Sequence, residues 1–164
     1  MVIFGIDPGT AVTGYGVIRV AGNTARWVDS GAIVMSASAT LAEKLETIYD
    51  NLLEKMKTHE PGRVCVEQAF YAKNVHTTLI LGHARGVAML AASKVGALID
   101  EYTPREIKKT LVGNGNATKE QVEYMVKVLL APPVKHAHAD AWDALAVALC
   151  GFSHSGMPAA GSRA

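Results

Sequence analysis

Four acidic residues stand where their side chains could act together in catalysis. Asp7 ends the apolar run VIFGI and precedes a Pro-Gly turn, while Glu67 ends the apolar run RVCV. Asp140 and Asp143 open the last apolar segment and lie three residues apart, so they share one face of a helix. Carboxylates that are removed from water repel one another unless a cation joins them. The pattern therefore predicts a metal site.

The predicted ligands are all oxygen atoms. Such ligands favour Mg²⁺, with Mn²⁺ as a substitute, whereas zinc more often binds Cys or His. Two ions can activate a water molecule and stabilise the leaving oxygen of a phosphodiester, so the predicted reaction is in-line hydrolysis with two ions per site. Each acid by itself also has a structural explanation, because Asp commonly opens a turn and acids are favourable near helix N-termini.

Length and composition limit the class of protein. The chain has 164 residues, 49% of them hydrophobic, which predicts one domain with a substantial core. Its net charge of +1 excludes an overall basic field, so any contact with nucleic acid must use local patches. Cys65 and Cys150 lie in apolar runs, as expected of reduced thiols in a cytoplasmic protein. We expect no signal peptide and no membrane span, because the first strand begins at Val2 and long apolar stretches are lacking.

Hydrophobic periodicity predicts an α/β fold. Three strands joined by short links form an antiparallel meander, and alternating helices and strands follow. The result is a five-stranded mixed sheet flanked by helices on both faces. The predicted strands are 2–7, 13–20, 24–35, 63–67 and 97–104, and the main helices are 40–60, 75–94 and 138–152, with two shorter helices between 105 and 131. The predicted domain spans 1–152, and 153–164 is predicted to be a disordered tail.

The order of these elements brings two of the acids together. If strand 63–67 returns parallel to strand 2–7 through the intervening helix, Asp7 and Glu67 lie at the same edge of the sheet. Phe70, Tyr71 and Lys73 follow Glu67 directly, so they could stack on an unpaired base and contact a phosphate. The alternative is a pair of aromatic residues in the core.

Three lysines flank a Gly/Asn loop, and their positions predict phosphate contacts. Lys108 and Lys109 precede the loop, and Lys119 follows it at the start of a helix, where Thr118 and Gln121 have capping-box spacing. A lysine at a helix N-terminus is unfavourable to the helix dipole, so a bound phosphate would explain Lys119. Each of these lysines could instead be merely solvated.

A helical face of small residues offers a surface for a second chain. Gly82 and Gly86 lie four apart, with Leu79 and Leu90 on the same face. Glycine in a helix costs about 1 kcal/mol relative to alanine, so close packing inside the chain and a symmetric dimer contact are both candidate explanations.

Two histidines precede the last helix. His136 lies four residues before Asp140 and could transfer a proton or bind metal, although an exposed histidine is the simpler explanation, and His138 has no assigned role.

Taken together, these segments resemble the RuvC family of bacterial Holliday junction resolvases, which belong to the RNase H-like superfamily. The resemblance runs from Met1 to about Phe152 and rests on GIDPGT with TGYGVI, VEQAFYAKN, LGHARGVAML, GNGNATKEQV and ADAWDALAVAL, in that order. It implies a five-stranded sheet, a homodimer, and Mg²⁺-dependent paired nicking of a four-way DNA junction. It also implies the branch-migration proteins RuvA and RuvB as partners.

The resemblance assigns roles to individual residues. The family's four acids fall on Asp7, Glu67, Asp140 and Asp143, and its third acidic position varies between acid and histidine. Its junction-contacting aromatic residue falls on Phe70. Its basic residues near the scissile phosphate fall on Lys108 and Lys119.

Three other functions use the same features. The opening GIDPGT with TGYGV also resembles the first phosphate loop of actin-like and sugar-kinase ATPases, but those enzymes need a second domain. A junction-binding scaffold without catalysis would not need four acids, which weaken DNA binding unless metal neutralises them. An RNA-processing nuclease of the same superfamily is the third alternative.

Overall fold

A computed structural model describes residues 1–68, 74–133 and 138–155. Its regular elements confirm the predicted α/β class and follow in this order: β1 Val2–Asp7, β2 Val12–Ala21, β3 Thr24–Val34, α1 Leu41–His59, β4 Arg63–Glu67, α2 Val75–Lys94, β5 Leu98–Tyr102, α3 Pro104–Val112, α4 Lys119–Leu130 and α5 Asp140–His154. None of the helices in these described parts is long and apolar enough to span a membrane.

The sheet has the predicted mixed topology. Its strand order is β3-β2-β1-β4-β5. The pairs β1–β2 and β2–β3 are antiparallel, whereas β1–β4 and β4–β5 are parallel. Ile6 pairs with Val66, so Asp7 and Glu67 leave neighbouring strands at the same edge of the sheet. The expected adjacency of the two acids is therefore confirmed.

Helices cover both faces of the sheet, and each face has its own core. One core packs α3, α4 and α5 against residues such as Ile3 and Ile18. The other packs α1 and α2 against residues such as Phe4 and Val17, which point the opposite way along the same strands. Strands that are buried on both faces read as continuous apolar runs, which explains the pattern of β1.

The last helix lies unusually close to the sheet. A Cβ atom added to Gly5 in β1 would stand 2.1 Å from the carbonyl oxygen of Ala144, and one added to Gly14 in β2 would stand 2.0 Å from that of Asp140. Both distances are far inside van der Waals contact, so only glycine allows the α5 backbone to come this close. Ala144 and Ala148 complete the contact from the helix side with small side chains.

Several boundaries differ from the sequence prediction by one or two residues, among them the ends of β5 and α5. The strand predicted to run to residue 104 ends at Tyr102, because Thr103 caps the next helix and Pro104 is its first residue. Proline fits this position well, since its fixed backbone angle suits a helix and no amide hydrogen is needed there. At the other end of the chain, α5 continues past Phe152 to His154.

The close approach of α5 predicts a strong effect of the smallest possible substitution. Gly5→Ala should lower the free energy of unfolding by about 1–3 kcal/mol, because the added methyl group overpacks the contact with Ala144. Gly62→Ala is the matched control, since its Cβ would have an ordinary 3.6 Å contact with Met1. Urea unfolding of both variants measures the difference, and equal stabilities would show that α5 can move away from the sheet freely.

Candidate active site

The predicted residues meet at a cavity at the edge of the sheet where β1 and β4 end. This cavity has a volume of about 360 Å³. Its polar lining comes from five elements, β1, β4, α3, α4 and α5, which contribute Asp7, Glu67, Lys108, Lys119 and Asp143. Five of the six residues predicted from the sequence to be catalytic are therefore brought together.

A buried hydroxyl group fixes the turn that follows Asp7. The Thr13 side chain is fully buried. Its Oγ1 donates to the carbonyl oxygen of Gly9 at 2.6 Å and accepts from the amide nitrogen of Gly9 at 3.2 Å. These bonds tie the start of β2 to the turn, so the Asp7 carboxylate is held at the end of a rigid strand.

Asp7 and Glu67 are costly to ionise together. Burial raises the pKa of Asp7 to about 9, with further increases from the adjacent carboxylates of Glu67, Asp143 and Asp140. Burial also raises the pKa of Glu67, which shares a hydrogen bond with Asp7, while Lys119 and Lys108 oppose that rise. The two carboxyl groups therefore behave as a pair that shares a proton.

Lys119 supplies a positive charge that is bonded directly to one of the acids. Its Nζ atom donates to Oδ2 of Asp143 at 2.7 Å, although the lysine side chain is 72% exposed. This hydrogen bond, together with the charges of Asp143, Asp7 and Glu67, raises the pKa of Lys119. The position of Lys119 in the first turn of α4 is thus explained by the acids it faces, which outweigh the unfavourable helix dipole.

Asp140 stands apart from the other three acids. It is close enough to raise the pKa of Asp7, but it does not line the cavity. Its backbone carbonyl lies over Gly14, at the point where α5 begins. Asp143, one helical turn further on, reaches the cavity instead.

The donor set fits a hard divalent cation by its chemistry. Buried carboxylates with a raised pKa gain most from a cation that replaces the shared proton, because the ion cancels their mutual repulsion. In the described ranges, no three His, Cys, Asp or Glu side chains are placed closely enough to hold a metal as they stand. Asp143, the third acid that lines the cavity, is instead bonded to Lys119.

The remaining predicted DNA contacts fall into two groups. Phe70, Tyr71 and Lys73 lie outside the described residues, as does His136. Lys109 is exposed in the last turn of α3 and does not line the cavity.

The cavity also has an apolar lining that sequence reasoning missed. It consists of Pro8, Leu81, Pro104, Ile107, Val122 and Ala146. Apolar residues at helical spacing look the same whether they face the core or a cavity, so no signal in the sequence marked them.

The surface of α2 tests the first explanation for Gly82 and Gly86, which is close packing inside the chain. A Cβ atom added to Gly82 or Gly86 would meet no described atom within 4 Å. The explanation by close packing inside the chain is therefore wrong for the parts of the chain that are described. The glycines instead lie in a shallow groove flanked by Leu79 and Leu90, which are 60% and 51% exposed.

The order of the strands defines an RNase H-like fold. Acids at the ends of β1 and β4 and in the first turn of α5 give it a carboxylate site of the nuclease type. A family model described as "Crossover junction endodeoxyribonuclease RuvC" matches residues 3–151, and the chain belongs to this family. The predicted membership is thus confirmed.

Individual relatives agree over almost the whole length. A protein of Pelotomaculum thermopropionicum named crossover junction endodeoxyribonuclease RuvC is 46% identical over 94% of each chain. A protein of the same name from Syntrophotalea carbinolica is 51% identical over 92% of each chain. Among solved structures, "T. thermophilus RuvC in complex with Holliday junction substrate" superposes with a TM-score of 0.88 and 30% identity, covering 97% of this chain and 98% of that one. Membership of this family implies the use of a divalent metal.

The raised pKa of Asp7 predicts how pH affects stability without metal. Between about pH 4 and pH 9 the unfolded chain has lost this proton while the folded chain retains it, so folding stability falls as pH rises. Asp7→Asn removes the ionisable group. The variant should therefore be more stable than the wild type. The difference between their free energies of unfolding should be larger at about pH 8.5 than at about pH 5.

Urea unfolding in a chelating buffer at both pH values tests this expectation. Asp50→Asn is the matched control, because Asp50 is exposed on α1. A gain for Asp7→Asn that does not change with pH would show that Asp7 is ionised in the folded protein.

Proposed function

We propose that this protein resolves four-way DNA junctions by paired, symmetric hydrolysis of phosphodiester bonds, in homologous recombination and DNA repair. The observation that carries the proposal is the meeting of Asp7, Glu67 and Asp143 with Lys108 and Lys119 at one cavity. Acids suited to divalent metal and lysines suited to phosphate stand together there, in a chain of the RuvC family.

Each polar residue has a role in this proposal. Asp7, Glu67, Asp140 and Asp143 would hold Mg²⁺, for which Mn²⁺ can substitute, with two ions per site. When bound, such ions activate water and stabilise the leaving oxygen. Lys119 would leave Asp143 and contact the scissile phosphate, and Lys108 would help to neutralise that phosphate. The exposed position of Lys119 supports this exchange, because its side chain has room to move.

Other residues would hold the junction. We assign Phe70, Tyr71 and Lys73, together with Lys109, to DNA binding. Phe70 is proposed to stack on a base that the distorted junction leaves unpaired, an interaction worth about 1–3 kcal/mol per base.

The groove on α2 supports a homodimer. Symmetric incisions in a four-way junction require two active sites related by a two-fold axis, and each chain has one. Gly82 and Gly86 leave room for the backbone of a second α2, and Leu79 and Leu90 would pack at its sides. We further propose that the dimer works in the cytoplasm with RuvA and RuvB.

One experiment separates this function from its alternatives. The protein is incubated with Mg²⁺ and a synthetic four-way junction, a linear duplex, an RNA–DNA hybrid or ATP. Paired nicks in the junction alone are expected. Junction binding without nicks would indicate a scaffold, cleavage of the hybrid an RNA-processing nuclease, and ATP hydrolysis an ATPase.

Removing one ligand charge should abolish cleavage without loss of junction binding. Asp7→Asn and Glu67→Gln should each lower the nicking rate in Mg²⁺ by about a thousandfold or more, since the charge that holds the ions is lost. Replacing Mg²⁺ by Ca²⁺ should permit binding but little hydrolysis, because Ca²⁺ has looser coordination. Nicking rates and gel-shift affinities are measured together, with Asp50→Asn as the control. Normal nicking by either variant would contradict the site assignment.

A bulky side chain in the α2 groove should weaken the dimer. Gly86→Leu fills the space in which a second backbone would lie, so dissociation should occur at higher protein concentration. Glu54→Leu is the control, because it adds the same side chain at an exposed position outside the groove. The groove is lined by Leu45 of α1, and Glu54 lies on the opposite side of that helix. Sedimentation across a dilution series compares both variants with the wild type. Unchanged association of Gly86→Leu would place the dimer contact elsewhere.

A further inference from the structure

The apolar side of the catalytic cavity has no part in the proposed chemistry. The carboxylates and lysines account for metal and phosphate, yet the cavity continues past them along a hydrocarbon surface. Pockets that bind a ligand commonly combine a few polar groups with such a surface, which fits the uncharged part of the ligand. The question is which uncharged part of a DNA strand would lie there.

Only part of this surface can be reached by a ligand. Ile107 and Val122 are each 5% exposed, and Ala146 is 1% exposed, so they form the buried floor. Leu81 and Pro104 are half-buried and have side-chain surface to spare. We call these two residues the apolar wall.

The two residues of the apolar wall lie on helices that neighbouring side-chain contacts anchor. Leu81 lies on α2, one turn before Arg85, whose guanidinium group pairs with Glu101 on β5. Pro104 is the first residue of α3, where Thr103 and Glu106 form a reciprocal capping box. A rigid apolar surface beside a reactive site can discriminate between substrates, because it cannot move to supply a polar partner.

Covalent geometry decides what meets the apolar wall. A phosphate at the carboxylates is bonded directly to two sugars, so a sugar is the uncharged part of the strand that lies nearest to this surface. We propose that Leu81 and Pro104 receive a deoxyribose adjacent to the scissile phosphate and reject a ribose at the same place. This inference rests on the proposed function.

The physical reason is the 2′-hydroxyl group of ribose. This group is both a donor and an acceptor, and it is the feature by which proteins distinguish RNA from DNA. Against the apolar wall it would lose its water without gaining a hydrogen bond from either side chain. Burial of an unpaired hydroxyl is unfavourable enough to slow cleavage by about tenfold or more.

Chemically defined junctions test the proposal. Three four-way junctions are compared in single-turnover cleavage with Mg²⁺: one is all deoxyribose, one has a single 2′-hydroxyl, and one has a single 2′-fluoro group. Each modification is placed in turn on the nucleotide before and after the scissile phosphate. The fluoro group withdraws electrons as the hydroxyl does, but it needs no hydrogen-bond donor or acceptor.

The wild type should cleave the 2′-hydroxyl junction about tenfold or more slowly at one of the two positions, and the 2′-fluoro junction within about threefold of the deoxyribose rate. Leu81→Asn places an amide beside the position of the 2′-hydroxyl, where it can form a hydrogen bond with that group. The preference for deoxyribose should therefore fall to about threefold or less. Leu98→Asn is the control, because exposed Leu98 begins β5 at the far end of the sheet. It should keep the full preference.

The outcomes separate this inference from the proposed function. Failure of the wild type to cleave the deoxyribose junction would remove both. Normal cleavage of that junction with equal rates for ribose at both positions would overturn the apolar wall alone, as would a preference that Leu81→Asn leaves unchanged. If Leu81→Asn does not fold, as judged by thermal unfolding, Pro104→Ser tests the same wall, since serine is tolerated in the first turn of a helix.

Discussion

The contact between α5 and the strands β1 and β2 is the constraint on which the site depends. Gly5 and Gly14 have no side chains, so the helix backbone lies against the sheet at a distance that a single methyl group would prevent. This contact sets the depth and the rotation of α5. Asp143 consequently reaches the same cavity as Asp7, although the two residues are far apart in the chain. A helix that lay further from the sheet would leave its acids in solvent.

The acids that meet at the cavity lower the stability of the fold when no cation is bound. Burial and mutual repulsion hold the pKa of Asp7 near 9, and the bond between Lys119 and Asp143 relieves only part of the charge. Stability is thus reduced where a cation would bind, which is common at functional sites. Buried ionic contacts elsewhere hold the frame, as where Arg63 of β4 pairs with Asp100 of β5 at 2.5 Å.

The helix α2 connects two functions of the proposed enzyme. One face carries the groove around Gly82 and Gly86, and the neighbouring face contributes Leu81 to the cavity and Arg85 to the pair with Glu101. A second chain seated in the groove would therefore pack against the same helix that borders the cavity. Local signals in the sequence predicted this helix with its observed bounds, Val75–Lys94. They misplaced the end of β5, because the proline at 104 was interpreted as a strand terminator although it begins α3.

The sequence by itself determined the order of the elements, the acids at their ends, and the capping box at Thr118 and Gln121, because these depend on neighbouring residues and on periodicity. Only the tertiary structure decided which acids share a cavity, leaving Asp140 outside it, and which apolar residues line it. Leu81 and Pro104 have no local feature that separates them from core residues. Their position in the cavity arises from the meeting of α2, α3 and α5 at one edge of the sheet, which is a property of packing between distant segments.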